Sequence, residues 1–361
     1  MKKTFLKAMA VLTALSATVF FTACDDDPVK PDENTTEVSF ENPRFMAEAD
    51  GSIYVTSYYP LGVARFDIGQ QKFTDFCKLG QFHPEGIAAA GGKLYIASSS
   101  ISDESGTYSY DNKLYVVDIA SFKLVDSITV GLNPQLVKKL DDNHIVFNTW
   151  GNYTTDLGGT YILNTNNNEI VDLDQPLTKF DVYNGSVYGY ATTYNEDYTT
   201  STNFYKIDGN SHNVTTILEN EQFSDGIYGI SVTGGYLAVC TDGNYIAKGD
   251  CRFYSIGDGS LAHTSRAGLL PSNVVADGTG RFLILNEGNW GKNNAGITQT
   301  GISDTTTIDN YFEQSNSRGL GDVAQDIILV DGKAYITVTF SNSLEIMNPT
   351  TGKSTRIATS K

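Results

Sequence analysis

The chain of 361 residues carries 42 acidic and 25 basic side chains, which gives a formal net charge of −17 at pH 7. A charge of this sign and size repels the phosphate backbone of DNA and RNA, so nucleic acid is excluded as a partner. Strong negative charge suits a soluble extracellular body. Beyond the N-terminal leader, no apolar stretch approaches the roughly 20 residues that a membrane-spanning helix needs.

Residues 1–23 have the pattern of a secretory signal peptide. Lys2, Lys3 and Lys7 make a basic start, and residues 8–21 follow without a charge. This apolar core is too short to cross a membrane as a helix. It ends in Phe-Thr-Ala-Cys, which resembles a bacterial lipobox. We therefore predict that Cys24 is acylated after cleavage and that lipid alone anchors the chain to the outer membrane.

Residues 24–37 predict a flexible acidic tether. Three aspartates follow Cys24, and the segment after them is rich in proline and charge, so it cannot bury enough apolar surface to order itself. An acidic run directly after the lipid cysteine resembles the surface-export signal of Bacteroidota lipoproteins and predicts exposure at the cell surface. A plain solvated spacer is the alternative. Because the leader also takes three lysines away, the net charge of the mature chain becomes about −20.

Residues 38–361 repeat one β-rich pattern seven times. In each copy a turn with Gly or Asp precedes a run that begins with an apolar residue, and the copies start 41 to 52 residues apart. The seven runs are Ile53–Val55, Leu94–Ile96, Ile145–Phe147, Val187–Gly189, Tyr236–Ala238, Phe282–Ile284 and Ala334–Ile336. The interval suits a blade of four short strands. The sequence therefore predicts an all-β fold, a seven-bladed β-propeller with four-stranded antiparallel blades.

Further strands surround each of these runs. One precedes the run, often after a proline turn such as Asn42-Pro43 or His83-Pro84, and a third and a fourth follow it. A closed ring of blades leaves only short exposed edges, which favours this architecture over one large sheet. Six or eight blades remain alternatives if the weakest repeat is miscounted. The ring could be completed by residues 36–40 or, equally, by residues 355–359.

The loops between the second and third strands share one face with the loops that join the blades, and they are unusually long. Aromatic and amide side chains gather in them. The predicted ligand-binding residues are Tyr58, Tyr59, Trp150, Asn152, Tyr153, Tyr194, Tyr245, Glu287, Asn289, Trp290, Asn293 and Arg318. Such a surface can stack on a flat ligand and hydrogen-bond to its rim. The alternative is that these tyrosines cap blade edges and these asparagines form turns.

Motifs that carry catalysis or bind metal do not occur. The four histidines lie in separate repeats, and there is no nucleophile elbow, zincin motif or cysteine metal cluster. Four carboxylates could still converge at the central channel, namely Glu85, Glu287, Asp322 and Asp326. The sequence favours a protein that binds a ligand without a cofactor or a metal and without transforming the ligand. A lyase or hydrolase is the weaker alternative.

Two of the remaining cysteines are predicted to form a disulfide. Cys240 and Cys251 lie on either side of one hairpin loop, and disulfides persist in an extracellular compartment. Closing so short a loop would contribute about 2–3 kcal/mol to stability. Cys77 has no partner in the sequence and is predicted to be a small buried apolar residue.

Two blocks of sequence resemble hallmarks of the YncE-like surface lipoproteins of Bacteroides. The first is Leu285–Asn294 (LNEGNWGKNN) and the second is Arg318–Asp326 (RGLGDVAQD). Tyr110–Asn112 with Val117-Asp118, and Val130–Pro134, are similar to shorter elements of the same family. The resemblance covers residues 38–361. In the relatives the first block opens the mature chain, whereas here it lies in the sixth repeat, which implies a circular shift that a closed ring tolerates.

The resemblance also implies a role. BtuG-like members of this family cap an outer-membrane TonB-dependent transporter and capture cobalamin and related cobamides. A corrin ring is large, flat and rimmed with amides, which suits a surface of aromatic and amide side chains. The expected function is therefore capture of a ligand, with a cobamide as the first candidate. A propeller that docks to a protein and binds no small ligand is the alternative.

Overall fold

The computed structural model describes residues 38–360 except 104, 195–199 and 224, and the side chain of Tyr194 also lies outside the description. The predicted signal peptide, Cys24 and the tether lie outside the described residues. The described chain forms seven sheets of four antiparallel strands, and in every sheet the strands are neighbours in chain order. No helix within these ranges is long and apolar enough to cross a membrane.

The strands follow one another along the chain from blade 1 to blade 7. Those of blades 1 to 4 are β1 Glu41–Ala49, β2 Ser52–Tyr59, β3 Leu61–Asp67, β4 Lys72–Lys78; β5 Phe82–Ala90, β6 Lys93–Ser102, β7 Tyr108–Asp118, β8 Lys123–Thr129; β9 Pro134–Lys139, β10 His144–Thr149, β11 Gly159–Asn164, β12 Ile170–Asp172; β13 Lys179–Tyr183, β14 Ser186–Tyr194, β15 Thr200–Asp208 and β16 Val214–Glu221. Those of blades 5 to 7 are β17 Ile227–Thr233, β18 Tyr236–Thr241, β19 Lys248–Ser255, β20 Leu261–Leu269; β21 Pro271–Ala276, β22 Arg281–Asn286, β23 Gly296–Gly301, β24 Thr307–Ile308; β25 Ala324–Val330, β26 Lys333–Val338, β27 Ser343–Met347 and β28 Ser354–Ala358.

The first strand of each blade contacts the first strands of both neighbouring blades, and β25 contacts β1. The seven first strands therefore line a central channel, and the sheets radiate from it. This is a seven-bladed β-propeller, as the sequence predicted, and every one of the seven apolar runs lies in the second strand of its blade. The number of blades is seven rather than six or eight.

The ring closes without a shared strand. The fourth strand of blade 7 is β28, so the C-terminal segment completes that sheet. Residues before β1 still join the seam, because the backbone N–H of Phe40 donates to the carbonyl of Thr359 at 2.7 Å. The ring of Phe40 is buried with Tyr335 and Leu344 of blade 7. Packing and a few hydrogen bonds therefore hold the first and last blades together.

Apolar side chains fill the spaces between neighbouring blades. Tyr54 of blade 1 packs with Leu94 and Ile96 of blade 2, and the same arrangement joins Phe147 of blade 3 to Leu114 of blade 2. Each sheet is buried on both faces, which explains why the second strands read as almost continuous apolar runs. The core is thus divided into wedges, and the channel at the centre is left to polar side chains.

Blade 6 departs from the regular pattern. Its fourth strand, β24, has only two residues, and a short helix follows, α1 Tyr311–Asn316. Phe312 is buried with Leu283 of blade 6 and Ile336 of blade 7. The helix therefore supplies apolar cover next to a sheet whose outer strand is too short to provide it. The sequence did not predict the helix.

Cys240 and Cys251 are free thiols in the structure, although the sequence predicted a disulfide between them. They lie directly opposite each other on β18 and β19, both are buried, and their sulfur atoms are 2.9 Å apart. A disulfide bond is shorter, about 2.05 Å. Because neighbouring strands already hold the two sulfur atoms in contact, the bond could form without moving the backbone. Cys77 is buried and free, as expected.

We expect the protein purified without reductant to contain the Cys240–Cys251 bond. Its intact mass should then fall short of that of the reduced protein by two hydrogen atoms, and after unfolding an alkylating reagent should label Cys77 but not this pair. Reduction should lower the free energy of unfolding by about 2–3 kcal/mol. A Cys77→Ser variant, which leaves the pair intact, is the control. Complete alkylation of Cys240 and Cys251 in the unreduced protein would contradict the prediction.

Candidate ligand site at the channel mouth

Every second strand ends, and every third strand begins, on one face of the ring, which we call the upper face. The connections between blades lie on the same face, because each blade has its first strand innermost and the same strand order. Trp150 and Trp290 both follow second strands and therefore share this face, as the sequence predicted. The predicted long loops are thus gathered around one end of the central channel.

Irregularities in the first strands direct side chains into that end of the channel. Six of the seven first strands have a register shift near their upper end, where one extra residue interrupts the pairing with the second strand. A β-bulge of this kind turns a side chain away from its regular direction. Arg44, Glu85 and Tyr228 each occupy such a bulge, in β1, β5 and β17.

These three residues and three others form a polar cluster that we call the mouth cluster. Its members are Arg44, Tyr58, Glu85, Lys179, Tyr228 and Glu287. They come from blades 1, 2, 4, 5 and 6. The cluster consists of two similar halves, each built on a tyrosine hydroxyl that donates to a glutamate carboxylate.

The first half joins blades 1 and 2. The hydroxyl of Tyr58 donates to Oε1 of Glu85 at 2.6 Å, and the Arg44 guanidinium lies 3.0 Å from Oε2 of Glu85. The guanidinium also stacks over the Tyr58 ring, 4.4 Å from its centre. Burial raises the pKa of Tyr58 well above its ordinary value, and Glu85 adds to this while Arg44 opposes it. Tyr58 therefore stays a neutral donor, and Glu85 has a counter-ion within the protein.

The second half joins blades 4, 5 and 6. The hydroxyl of Tyr228 donates to Oε2 of Glu287 at 2.6 Å, and the Lys179 ammonium donates to the backbone carbonyl of Tyr228. Burial raises the pKa of Glu287, although Tyr228, Lys179 and Arg44 all act in the opposite direction. Burial also lowers the pKa of Lys179, against the charge of Glu287. Both groups are thus biased towards their neutral forms.

The two halves interact across the channel and have aromatic side chains beside them. The charge of Arg44 acts on Glu287, which places both halves within electrostatic range of each other. Tyr245 packs edge-on against Tyr228, with 6.0 Å between the ring centres. On the other side His83 packs against Tyr58 at 5.7 Å and against Tyr108 at 5.0 Å. The rings of Tyr108 and Tyr245 are about half exposed, so they can contact a ligand.

Two glycines allow the two glutamates their positions. Gly86 follows Glu85, and a Cβ atom on it would lie 2.7 Å from the backbone of blade 3. Gly288 follows Glu287 with a φ of +78°, and a Cβ atom there would lie 2.6 Å from the backbone nitrogen of Ala295. Any other residue would have to move the backbone at these points.

Farther along the channel, a second polar group ties blades together. Lys138 of β9 lies 3.5 Å from Asp181 of β13, whose other carboxylate oxygen accepts the backbone N–H of Val232 at 2.8 Å. Asp326 of β25 accepts the backbone N–H of Met46 at 2.9 Å. The charge of Asp181 raises the pKa of Lys138, against the effect of burial. These contacts are satisfied within the protein and fix the first strands relative to one another.

Three of the predicted ligand-binding residues come together at the mouth. Tyr58 and Glu287 belong to the mouth cluster, and Tyr245 stands beside it. Asn289 is adjacent, with its side-chain amide donating to the carbonyl of Tyr245 at 3.4 Å. Of the four carboxylates proposed to converge at the channel, Glu85, Glu287 and Asp326 do lie there.

Other predicted residues are exposed on the upper face but do not contact the mouth cluster. Tyr59 is 54% exposed, Tyr153 is 48% exposed and Trp290 is 61% exposed and 6.1 Å from the Phe340 ring. Asn293 is exposed in a left-handed backbone conformation, which is typical of a turn residue. The side chain of Tyr194 lies outside the described residues. These positions could form a rim around the mouth but not its wall.

Three predicted residues have a structural contact in place of the expected one, and a fourth is only partly exposed. Arg318 binds Glu345 through both terminal nitrogens at 2.8 Å, so it is not a free donor at the rim. The side chain of Asn152 accepts the backbone N–H groups of the turn that follows it. Trp150 is only partly exposed. Asp322 accepts the backbone N–H of Gly291 at 2.9 Å and so holds a loop, away from the channel.

Sequence reasoning missed Arg44, Lys179 and Tyr228. Each is a single polar residue in a first strand, with no motif around it. One signal was present in the sequence. In Pro43-Arg44 and Pro84-Glu85, a residue of the mouth cluster directly follows a proline near the start of a first strand. Proline cannot donate to a strand partner, which makes it common at strand starts and bulges.

The lower face carries a shallow cavity of about 240 Å³ between blades 1, 2 and 3. It is lined by the hairpin turns at Asp50 and Gly91 and by Lys139 and Asp142. The last two form an exposed ion pair at 2.7 Å. Because the cavity has no converging buried polar groups and no aromatic wall, we place the candidate site at the mouth.

The described residues contain no group of three or more His, Cys, Asp or Glu side chains arranged to hold a metal ion. The fold and the mouth together define a seven-bladed β-propeller with a polar, aromatic-flanked channel entrance. No family model matches the chain, and no curated protein sequence matches it.

Solved structures that are similar to this chain share little sequence identity with it. The computationally designed Ika8 protein has a TM-score of 0.59 and 9% identity over 91% of this chain and 90% of that chain. Kuenenia stuttgartiensis hydrazine synthase has a TM-score of 0.58 and 13% identity over 92% and 99%. Kluyveromyces lactis Hsv2 has a TM-score of 0.52 and 11% identity over 88% and 99%. Identities this low show the fold alone.

Proposed function

We propose that this chain is the ligand-binding propeller of a bacterial surface lipoprotein. It captures a small molecule at the channel mouth without transforming it, and it works with an outer-membrane TonB-dependent transporter. The observation that carries the proposal is the convergence of two Tyr–Glu pairs at one end of the channel, beside the exposed rings of Tyr108 and Tyr245. A few converging polar groups beside aromatic walls are typical of small-molecule sites.

A cobamide is the first candidate ligand. The exposed tyrosine rings offer apolar faces to a flat macrocycle, and the mouth cluster offers both donors and acceptors to its amide rim. The resemblance of residues 285–294 and 318–326 to YncE-like surface lipoproteins supports the same ligand and the same kind of partner. Lipidation at Cys24 would place the propeller at the membrane that holds the transporter.

We expect Tyr245→Ala to weaken the binding of cyanocobalamin by at least about 2 kcal/mol, roughly 30-fold, because it removes an aromatic wall beside Tyr228. Isothermal titration of the purified protein gives the affinity, and mass spectrometry of the recovered ligand shows whether it is unchanged. Leu261→Ala is the control, since Leu261 is equally exposed but lies on the outer strand β20. If millimolar cyanocobalamin gave neither heat nor a thermal shift with the unaltered protein, the cobamide assignment would be wrong.

Exposed aliphatic side chains favour a second candidate function, docking to a protein. Leu157 is 78% exposed and Ile246 is 85% exposed, both in loops of the upper face. Large apolar side chains exposed together at one face mark a surface that another protein could cover. Docking predicts that a TonB-dependent transporter co-purifies with the protein and that the double variant Leu157→Ser with Ile246→Ser reduces the amount recovered. Docking would be the whole function only if a panel of small ligands also gave no binding.

A further inference from the structure

The channel contains three cationic side chains, and they differ in their counter-ions. Arg44 has Glu85 at 3.0 Å, and Lys138 has Asp181 at 3.5 Å. Lys179 has no carboxylate within 4.0 Å among the described residues, and its one hydrogen bond there goes to the backbone carbonyl of Tyr228. Lys138 and Lys179 belong to the first strands of neighbouring blades and line the same channel. They can therefore be compared directly, and they differ in whether a carboxylate lies close to the ammonium.

An ammonium group has three N–H donors, and only one of those on Lys179 has a hydrogen-bond partner among the described residues, while the ammonium also lies 4.9 Å from the centre of the Tyr228 ring. A cation taken out of water and left without a partner is costly, and proteins normally pair such a group. Arg44 adds a further unfilled donor, since its Nε is buried and makes no hydrogen bond to the described residues. At the floor of the mouth, some N–H donors of Lys179 and Arg44 therefore have no acceptor among the described residues.

We propose that Lys179 holds an anionic oxygen group of the ligand, either a carboxylate or a phosphate ester, at the floor of the mouth. The inference rests on the proposed function and adds to it the chemical class of the group that enters the mouth. The ligand thus supplies to Lys179 the counter-ion that Asp181 supplies to Lys138. Its remaining surface lies against Tyr108 and Tyr245.

The surroundings of Lys179 are compatible with a second negative charge. Glu287 is the carboxylate that acts on Lys179, and burial raises the pKa of Glu287, so an incoming anion can be accommodated by its protonation. Arg44 on the opposite side attracts the anion as well. The other titratable groups that face the mouth are Tyr58, Glu85, Tyr228, Tyr245, Asp242 and the buried thiol of Cys240.

Three probes that share a phenyl ring and differ in charge test the proposal, namely benzoate, phenyl phosphate and benzamide. Isothermal titration and saturation-transfer NMR with the full-length protein should show at least tenfold tighter binding of one anion than of neutral benzamide. A preference for benzoate over phenyl phosphate identifies a carboxylate ligand, and the reverse identifies a phosphate ester. Lys179→Met should remove the preference for the anion, whereas Lys292→Met, at an exposed lysine of the same face, should leave it unchanged.

A second measurement needs no variant. An anion beside Lys179 favours the charged ammonium and also favours protonated Glu287, so any change in the protonation of these two groups on binding is uptake of protons. Titration with benzoate in Tris and in imidazole buffer, which differ in ionisation enthalpy, should therefore show no net proton release. Benzamide binding as tightly as both anions, or proton release, would overturn the proposal. Failure of all three probes at millimolar concentration would overturn it too, while ligand capture itself is judged separately by the Tyr245→Ala titration.

Discussion

Replacing Glu345 with alanine is expected to lower the free energy of unfolding by about 3–5 kcal/mol, the usual cost of breaking a buried ion pair from one side. The Glu345 side chain is completely buried and binds Arg318 through both oxygens at 2.8 Å. It also accepts hydrogen bonds from Ser354 at 2.6 Å and from Arg356 at 2.5 Å. The variant takes this acceptor from two guanidinium groups that are only partly exposed, and Arg356 keeps the backbone carbonyl of Leu320. Urea denaturation measures the loss.

The control for this prediction is Asp142→Ala, which removes the exposed ion pair between Asp142 and Lys139. Surface pairs contribute about 0–1 kcal/mol, so the control should change little. A loss below about 1 kcal/mol for Glu345→Ala would show that the arginines find water or other acceptors and that the ion pair is not needed for the fold.

The stabilisation that Glu345 contributes should also depend on pH and should decrease as the pH falls. Burial alone would raise the pKa of Glu345, but the hydrogen bonds from Arg318, Ser354 and Arg356 outweigh it and hold the pKa below its ordinary value. A carboxylate with a lowered folded-state pKa contributes stability above its unfolded pKa, about 4.3, and loses it as the pH falls through the folded value. The gap between the unaltered protein and Glu345→Gln should therefore be constant near neutrality and narrow below about pH 4.

Phe312→Ala is expected to cost about 3–5 kcal/mol, the range for truncating a buried aromatic residue. The ring is 1% exposed and lies in the apolar cluster between blades 6 and 7. Because β24 is too short to cover its own sheet, the cavity left by the ring has no nearby strand that could collapse into it. Urea denaturation again gives the free energy, and circular dichroism checks that the β content of the folded variant is retained.

Phe340→Ala is the matched control, since that phenylalanine is 46% exposed on the upper face. Its loss should cost less than about 1 kcal/mol because most of its surface is already in water. If the two variants were equally stable, the helix α1 would not be covering blade 6, and the outer edge of that blade would have to be protected in another way.

The predictions for Glu345 and Phe312 both concern the junction of blades 6 and 7, where the sequence block Arg318–Asp326 lies. Arg318 binds Glu345, Asp322 holds the loop at Gly291, and Asp326 joins blade 7 to blade 1 through Met46. The charged residues of this block therefore act in the structure as connectors between blades. Residues from the other block have a different place, since Glu287 lies in the mouth cluster itself.

The architecture could be predicted because its signals are local. Each blade is a run of hairpins, and a hairpin is specified by a turn residue and the apolar residues beside it. All seven apolar runs were placed in second strands, and that is where the structure has them. The shared upper face of Trp150 and Trp290 followed from the same reasoning, because every blade has one strand order.

The site could be predicted only in part. Tyr58, Tyr245 and Glu287 were chosen because the sequence predicts them in or next to upper-face loops, and such a location is visible in the sequence. The same rule also selected Arg318 and Asn152, whose hydrogen bonds are internal to the fold. Loop position does not reveal whether a polar side chain already has a partner.

By itself, the sequence determined the class of fold and the face on which the loops gather, and it favoured seven blades, because each of these depends on residues close together in the chain. Only the tertiary structure decided which polar side chains share the mouth, since Arg44, Glu85, Lys179, Tyr228 and Glu287 are brought together by ring closure across more than two hundred residues of chain. It also decided that Lys138 has a counter-ion, whereas Lys179 has none among the residues that the structure describes. Which charges are paired depends on distances between blades, and the turns and strands of one blade do not determine those distances.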